Sequence, residues 1–210
     1  MNQQNTASFY YSNRLARVFL FSLEEIIGRN GLNAVLNHAD LRSVVICYPP
    51  EKNSILFNFE EISKIQTSIE ELYGIRGGHG IALRSGRACL KHGLREFGEE
   101  LGFTDLAFRL LPQEDKLRIG TETFAEIFNR FSDQRVVVGE DIAHFWWKIE
   151  RCPICWQRHS DSSLCYLAVG LLQEALYWVS SGKYFNVVET DCIAKGDSAC
   201  VILIDKTAIE

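Results

Sequence analysis

The sequence predicts an α+β protein: mainly antiparallel sheet, helices at the N-terminal end, and a long buried helix before a C-terminal hairpin. Three observations carry this. Apolar residues recur at helical spacing through most of the first 130 residues; the spacing then changes to period two; and helices and strands do not alternate as regular βαβ units. At 210 residues and 47% hydrophobic composition the chain supports one sizeable core, and four scattered prolines mark no linker. Residues 1–12 read as a flexible N-terminus and 13–210 as a single domain.

Each element follows from its pattern. Leu15, Val18, Phe19, Leu23, Ile26 and Ile27 form one helical face, with Gly28 and Gly31 as stop signals and a short helix over 32–38 beyond them. Ser43–Tyr48 is β-branched and apolar, and Ile55, Phe57 and Phe59 alternate. Together they predict two strands joined by a hairpin through Pro49-Pro50. Ile62, Ile65, Ile69 and Leu72 predict a helix ending at Tyr73-Gly74. The glycines from Gly74 to Gly86 read as a tight turn between helices, since no Gly-Lys-Ser/Thr follows them for a phosphate loop. A helix carries Leu90, Leu94, Phe97 and Leu101. Another opens at Pro112 with Glu114 and Asp115 in its first turn and carries Phe124, Ile127, Phe128 and Phe131. Strands are predicted at 136–138 and around Phe145, Trp147 and Ile149. After these come a helix over 163–181 that is apolar almost all round, and strands at 184–190 and 200–205.

Charge and composition narrow the function. A net charge of −5 and a pI near 5.6 argue against a nucleic-acid surface, which needs a basic stripe. The N-terminus lacks the basic and apolar regions of a secretory signal, and no apolar run reaches the roughly 20 residues of a membrane helix. A cytoplasmic protein is the expectation. Seven cysteines, an odd number, read poorly as a disulfide framework in that compartment.

Five of those cysteines lie between Cys152 and Cys200. With a turn centred on Gly196-Asp197, Cys192 and Cys200 face each other at a spacing suited to a shared zinc ion. Cys165, in the first turn of the long helix, completes the set with Glu189. Glu189 stands three residues before Cys192, an odd separation that puts the two on opposite faces of a regular strand, so the strand has to bulge or twist. Cys152-Pro-Ile-Cys155 is a CxxC, and a rival set of Cys152, Cys155, Cys192 and Cys200 stays open. For an apolar ligand pocket the candidates are Phe124, Phe128, His144, Trp146, Trp147 and Tyr177: aromatic walls with His144 as an orienting polar group. No Ser/His/Asp order, paired-carboxylate motif, dinucleotide fingerprint or flavin site stands out, so the chain reads as a binding module more than an enzyme.

The run Val188-Glu189-Thr190-Asp191-Cys192-Ile193-Ala194-Lys195-Gly196-Asp197-Ser198-Ala199-Cys200 resembles the closing motif of the 4-vinyl reductase domain family. Cys152-Pro-Ile-Cys155, Cys165 with Gly170, and Tyr73-Gly74-Ile75-Arg76-Gly77 leading to Arg84-Ser85-Gly86-Arg87 are similar to that family too. The resemblance implies a fold shared with TRAPP-type subunits, a homodimer and a small hydrophobic ligand. It also implies a structural zinc on Cys165, Glu189, Cys192 and Cys200, and a downstream signalling partner. Two other roles follow from it: a reductase or accessory protein acting on a vinyl-bearing tetrapyrrole, and a TRAPP-like interaction subunit.

Overall fold

The computed structural model describes residues 8–50, 55–101, 108 and 110–209. Its architecture is the α+β arrangement the periodicity predicts. β1 (Tyr10–Ser12) leads into α1 (Asn13–His38), whose first turn is capped by Ser12 accepting a hydrogen bond from Leu15 N at 3.3 Å. α2 (Arg42–Ile46) is a single short helix. β2 (Ile55–Asn58) pairs antiparallel with β1, Tyr11 opposite Phe57. α3 (Phe59–Leu101) opens on a reciprocal cap. Asn58 Oδ1 accepts from Glu60 N at 2.9 Å, and the Glu61 carboxylate accepts from Asn58 N at 2.7 Å. α4 (Gln113–Phe131) follows, then β3 (Val136–Glu140), β4 (His144–Ile149), α5 (Tyr166–Val179), β5 (Tyr184–Asp191), a 3-10 turn over Ile193–Lys195, and β6 (Cys200–Ile209). The last four strands form one antiparallel sheet in the order β3-β4-β6-β5.

The chain departs from the predicted pattern in three places. Ser43–Tyr48 does not form a strand. Its backbone closes into α2 through Val44 N to Leu41 O at 3.0 Å and Cys47 N to Ser43 O at 3.0 Å, and only Val44 of that helix is buried. β2 takes β1 as its partner instead, so the predicted hairpin is absent; residues 51–53 of its loop lie outside the described residues. Tyr10–Ser12, at the end of the stretch expected to be flexible, is therefore strand, with Tyr11 buried; residues 1–7 lie outside the described residues.

The third departure is the glycine-rich stretch, which is helix. Gly28 and Gly74 do break α1 and α3, at φ 73° and 75°, where a side chain is strained. Beyond Gly74, however, the backbone resumes its helix. The reason lies in packing. A Cβ on Gly86 would sit 2.1 Å from the Leu167 carbonyl oxygen, and one on Gly170 would sit 2.0 Å from the Leu83 carbonyl oxygen. α3 and α5 thus cross backbone to backbone, each lending a glycine to the other.

The core lies between the helices and the inner face of the sheet. β4 alternates as predicted: Phe145, Trp147 and Ile149 are buried, while His144, Trp146 and Lys148 lie on the outer face. Among the described residues no helix is long and apolar enough to cross a membrane.

A candidate ligand cavity beside a sulphur cluster

The helices close around an apolar cavity of about 90 Å³. Tyr11, α1 (Leu15, Val18, Phe19), α3 (Cys89, Gly93, Phe97), α4 (Phe124, Ile127, Phe128), β4 (Trp147, Ile149) and α5 (Leu167, Ala168, Leu171) contribute walls. Cys152, Pro153 and Ile154 of the CxxC loop form another. Among the described residues one polar pair stands in this lining: the Tyr11 hydroxyl donates to Gln134 Oε1 at 2.5 Å. Burial pushes the Tyr11 phenol well above its ordinary pKa and the Cys89 thiol up to about 12, so both are neutral.

Three of the six residues proposed for a ligand pocket, Phe124, Phe128 and Trp147, line this one cavity, with Phe128 edge-on to Trp147 at 6.2 Å. The other three lie elsewhere. His144 is on the outer face between Asp141 and Asp205, at 3.3 and 3.6 Å. Trp146 lies over Gly139, its cross-strand partner, where a Cβ would come within 2.0 Å of the indole. Tyr177 packs on Tyr184, ring centroids 4.7 Å apart. Pleat parity separates His144 and Trp146 from Trp147; adjacent positions on one strand cannot line one pocket. Tyr11, Gln134 and the α1 residues were missed, because ordinary core residues brought together over more than 120 positions leave no local pattern.

On the other side of the CxxC loop lies the sulphur cluster. Cys152, Cys155, Cys165, Cys192 and Cys200 are all at most 3% exposed. The Cys155 sulphur is central, 3.6 Å from Cys165, 3.4 Å from Cys192 and 3.5 Å from Cys200; Cys152 and Cys165 are 3.4 Å apart. Hydrogen bonding from Cys152 first, then from Cys165, Cys192 and Cys200, favours the Cys155 thiolate and holds its pKa far below the ordinary thiol value.

Cys165, Glu189, Cys192 and Cys200 offer ligand atoms that all lie within 4.8 Å of one another. The parity problem of Glu189 is solved by a bulge. Glu189 is opposite Ile202 and Asp191 is opposite Val201, so Thr190 is an extra residue that returns Cys192 to the face Glu189 occupies. Glu189 Oε2 accepts from Cys165 N at 2.8 Å, whereas Oε1 is buried without a hydrogen-bond partner. Burial raises this carboxyl to about 8, and the neighbouring Cys192 adds to the rise. Several soft donors with an orphaned carboxylate oxygen form a set that can hold a metal ion.

No protein-family model matches the chain, and no curated protein matches it in sequence. Solved structures do share its fold. One is the phenol-responsive sensory domain of the transcription activator PoxR with phenol, 16% identical, with a TM-score of 0.53 over 72% of this chain and 76% of that one. Another is the Fe(II) unliganded H-NOX protein from K. algicida, 13% identical, with a TM-score of 0.62 over 95% and 97%. A third comes from work on heme distortion in the H-NOX family, 13% identical, with a TM-score of 0.57 over 95% and 97%. These neighbours correct two expectations. They are H-NOX and phenol-sensing domains, so assignment to the 4-vinyl reductase and TRAPP-type families is not upheld, and the reductase and TRAPP-like roles that rested on it fall with it. Nor is zinc upheld as the cofactor: the neighbours whose descriptions name a metal group name Fe(II) and heme.

Haem itself does not suit this cavity. Iron needs an axial His, Met, Tyr or Cys. The described lining holds no histidine or methionine; Tyr11 is committed to Gln134, Cys89 is a neutral thiol and Cys152 belongs to the sulphur cluster. Among the described residues no lysine or arginine lines it to meet the propionates, and its volume is well below the roughly 300 Å³ at which pockets for larger ligands begin.

Proposed function

We propose that this domain is a sensor for a small apolar molecule about the size of one aromatic ring, bound in the cavity between α1, α3, α4, β4 and α5. One observation carries the reading: the apolar space of about 90 Å³ has, among the described residues, a single polar pair, Tyr11 with Gln134, in its wall. An engineered cavity of about 150 Å³ with similar lining takes up benzene. The Tyr11 oxygen keeps lone pairs to accept from a hydroxyl on the guest. The phenol-responsive neighbour supports this choice of ligand class.

In the same reading Cys165, Glu189, Cys192 and Cys200 hold a thiolate-bound metal ion, whose identity elemental analysis of the purified protein determines. Its role is to tie the start of α5 to the β5–β6 hairpin. A reducing, cytoplasmic compartment belongs to the proposal, since thiols 3.4 Å apart cross-link in an oxidising one. So does a homodimer that passes the bound state to a signalling partner. Exposed Tyr184 and Ile209, paired across β5 and β6, with exposed Val188, offer an apolar edge for it.

Gly93 supplies the test. It lines the cavity, and a Cβ there meets no atom within 4 Å. Calorimetric titration with phenol is expected to show saturable binding to the native protein. Binding is lost in Gly93→Leu, whose melting temperature stays at or above that of the native protein because leucine suits a helix. Equal phenol binding by the two proteins would overturn the cavity assignment.

A further inference from the structure

We infer that Cys155 is a fifth donor to the ion: it exchanges with Glu189 for the fourth place beside Cys165, Cys192 and Cys200, and a guest in the cavity drives the exchange. This rests on the reading that Cys165, Glu189, Cys192 and Cys200 hold an ion. It goes beyond that reading by giving the site a second ligand state.

The distances carry it. Four sulphurs around one ion at about 2.3 Å stand about 3.8 Å apart. The Cys155 sulphur is 3.6 Å from Cys165, 3.4 Å from Cys192 and 3.5 Å from Cys200. The sulphurs of Cys165, Cys192 and Cys200 all lie within 4.8 Å of one another. Cys155 thus touches all three at once, and an opening of a few tenths of an ångström turns four packed sulphurs into a tetrahedron of ligands. Glu189 has a place to withdraw to. Its Oε2 is already held by Cys165 N at 2.8 Å, and its Oε1, buried without a hydrogen-bond partner, is the atom the ion gains or loses. A four-coordinate ion takes one of the two donors and not both.

In the exchange the bond from the ion to Glu189 oxygen breaks and a bond to Cys155 sulphur forms. The Cys155 thiol proton passes to the freed carboxylate, so the buried site keeps its net charge. The other three sulphurs stay bound, and Cys200 Sγ accepts from Ile193 N at 3.3 Å, a hydrogen bond that orients it. The cavity reaches this step through the chain. Cys152, Pro153 and Ile154, the three residues before Cys155, form one of its walls. Its volume of about 90 Å³ is smaller than the roughly 150 Å³ that takes up benzene, so a ring-sized guest presses on the walls. Beyond Cys155 the loop is pinned to α3: Ser63 Oγ donates to Trp156 O at 2.8 Å, and Arg158 pairs with Glu70. Pressure on the wall is therefore passed to Cys155, which stands against the cluster.

Cobalt(II) is the probe. Cys47→Ser removes the exposed thiol, and the protein is reconstituted with cobalt as its only metal. Thiolate-to-cobalt charge-transfer absorption counts the bound sulphurs. One cobalt on three thiolates is expected, and saturating phenol is expected to raise the absorption by about one third, to that of four. Cys155→Ser keeps the cobalt and its three thiolates and abolishes the rise. Glu189→Gln shows four thiolates without phenol, and adding Cys155→Ser returns it to three. If Glu189→Gln fails to fold, the response to phenol with and without Cys155 still decides. An absorption that bound phenol and Cys155→Ser both leave unchanged overturns the exchange and leaves the Glu189 site standing. Four thiolates before phenol is added overturn the exchange as well. Phenol that does not bind overturns the guest-driven step together with the cavity assignment, and failure to bind cobalt overturns the metal site itself.

Discussion

The ligand cavity and the sulphur cluster lie back to back across the Cys152–Cys155 loop, yet they are made in opposite ways. The cavity gathers common apolar residues from Tyr11 to Leu172, most of which would pack acceptably against one another in other arrangements. The cluster draws on a rare residue type within 49 positions, and its sulphurs approach to 3.4 Å. A wall of leucines and phenylalanines tolerates exchange at modest cost if volume is kept. A set of candidate metal ligands tolerates little, because its donors are positioned by particular backbone features: the Thr190 bulge, the N-cap of α5 and the CxxC turn. On the proposed reading, specificity can therefore drift in the cavity while the cluster holds the frame.

The sharpest way to break this contrast is Cys165→Ser. Cys165 belongs to both metal-ligand sets and its N–H holds Glu189. Apparent metal-binding energies of about 10 kcal/mol are folding energies in small thiolate sites. The expected result is a loss on the order of 5 kcal/mol or more, with failure to fold at 37 °C the extreme, read from thermal melts with and without chelator. A variant that melts with the native protein, and a native protein indifferent to chelator, would falsify a stabilising role for the cluster.

The next effect strikes both regions through the crossing that supports them. Gly170→Ala places a methyl group 2.0 Å from the Leu83 carbonyl oxygen, a contact that only separation of α3 from α5 relieves. Overpacking of this kind costs about 1–3 kcal/mol, and more where backbone opposes backbone. Because Leu167, Ala168 and Leu171 line the cavity from the same helix, phenol affinity is expected to fall along with stability in urea unfolding. Unchanged midpoints in both measurements would show that the two helices slide freely, against the close crossing described above.

Legibility in the sequence divides along the same line. Cys165, Glu189, Cys192 and Cys200 were readable as a set, even to the bulge that Glu189 requires, because cysteines are few and their spacing constrains a hairpin directly. β4 was readable from strict alternation, yet the candidate pocket put Trp146 and Trp147 together against that alternation, which points them apart. Ser43–Tyr48 was misread because β-branched residues describe a preference that a missing strand partner overrides. The glycines from Gly77 to Gly86 read as a turn because a sequence shows flexibility and not the neighbour it makes room for; Leu167, 81 residues beyond Gly86, supplies the reason. Tyr11 fell in a stretch read as flexible, although it provides the cavity's polar group.

That hydroxyl gives the smallest and most selective prediction. Tyr11 is 8% exposed, Gln134 is 6% exposed, and the bond between them is 2.5 Å. Tyr11→Phe keeps the ring and removes the donor, leaving Gln134 Oε1 without its phenolic partner. A buried acceptor so deprived costs about 1–3 kcal/mol, and the lower half of that range is expected here because the amide has some freedom to turn. Denaturant unfolding checks this as a shifted midpoint with an unchanged slope. Ligand preference is the more telling readout. Phenol and toluene fill nearly the same volume, but only phenol presents a hydroxyl to the Tyr11 oxygen. Losing one such hydrogen bond weakens phenol binding by about 1 kcal/mol, roughly fivefold, while toluene affinity stays within a factor of two. If both ligands weaken together, the cavity selects by shape alone, and the contrast with the cluster becomes stronger still: one region would read only volume, the other only donor atoms.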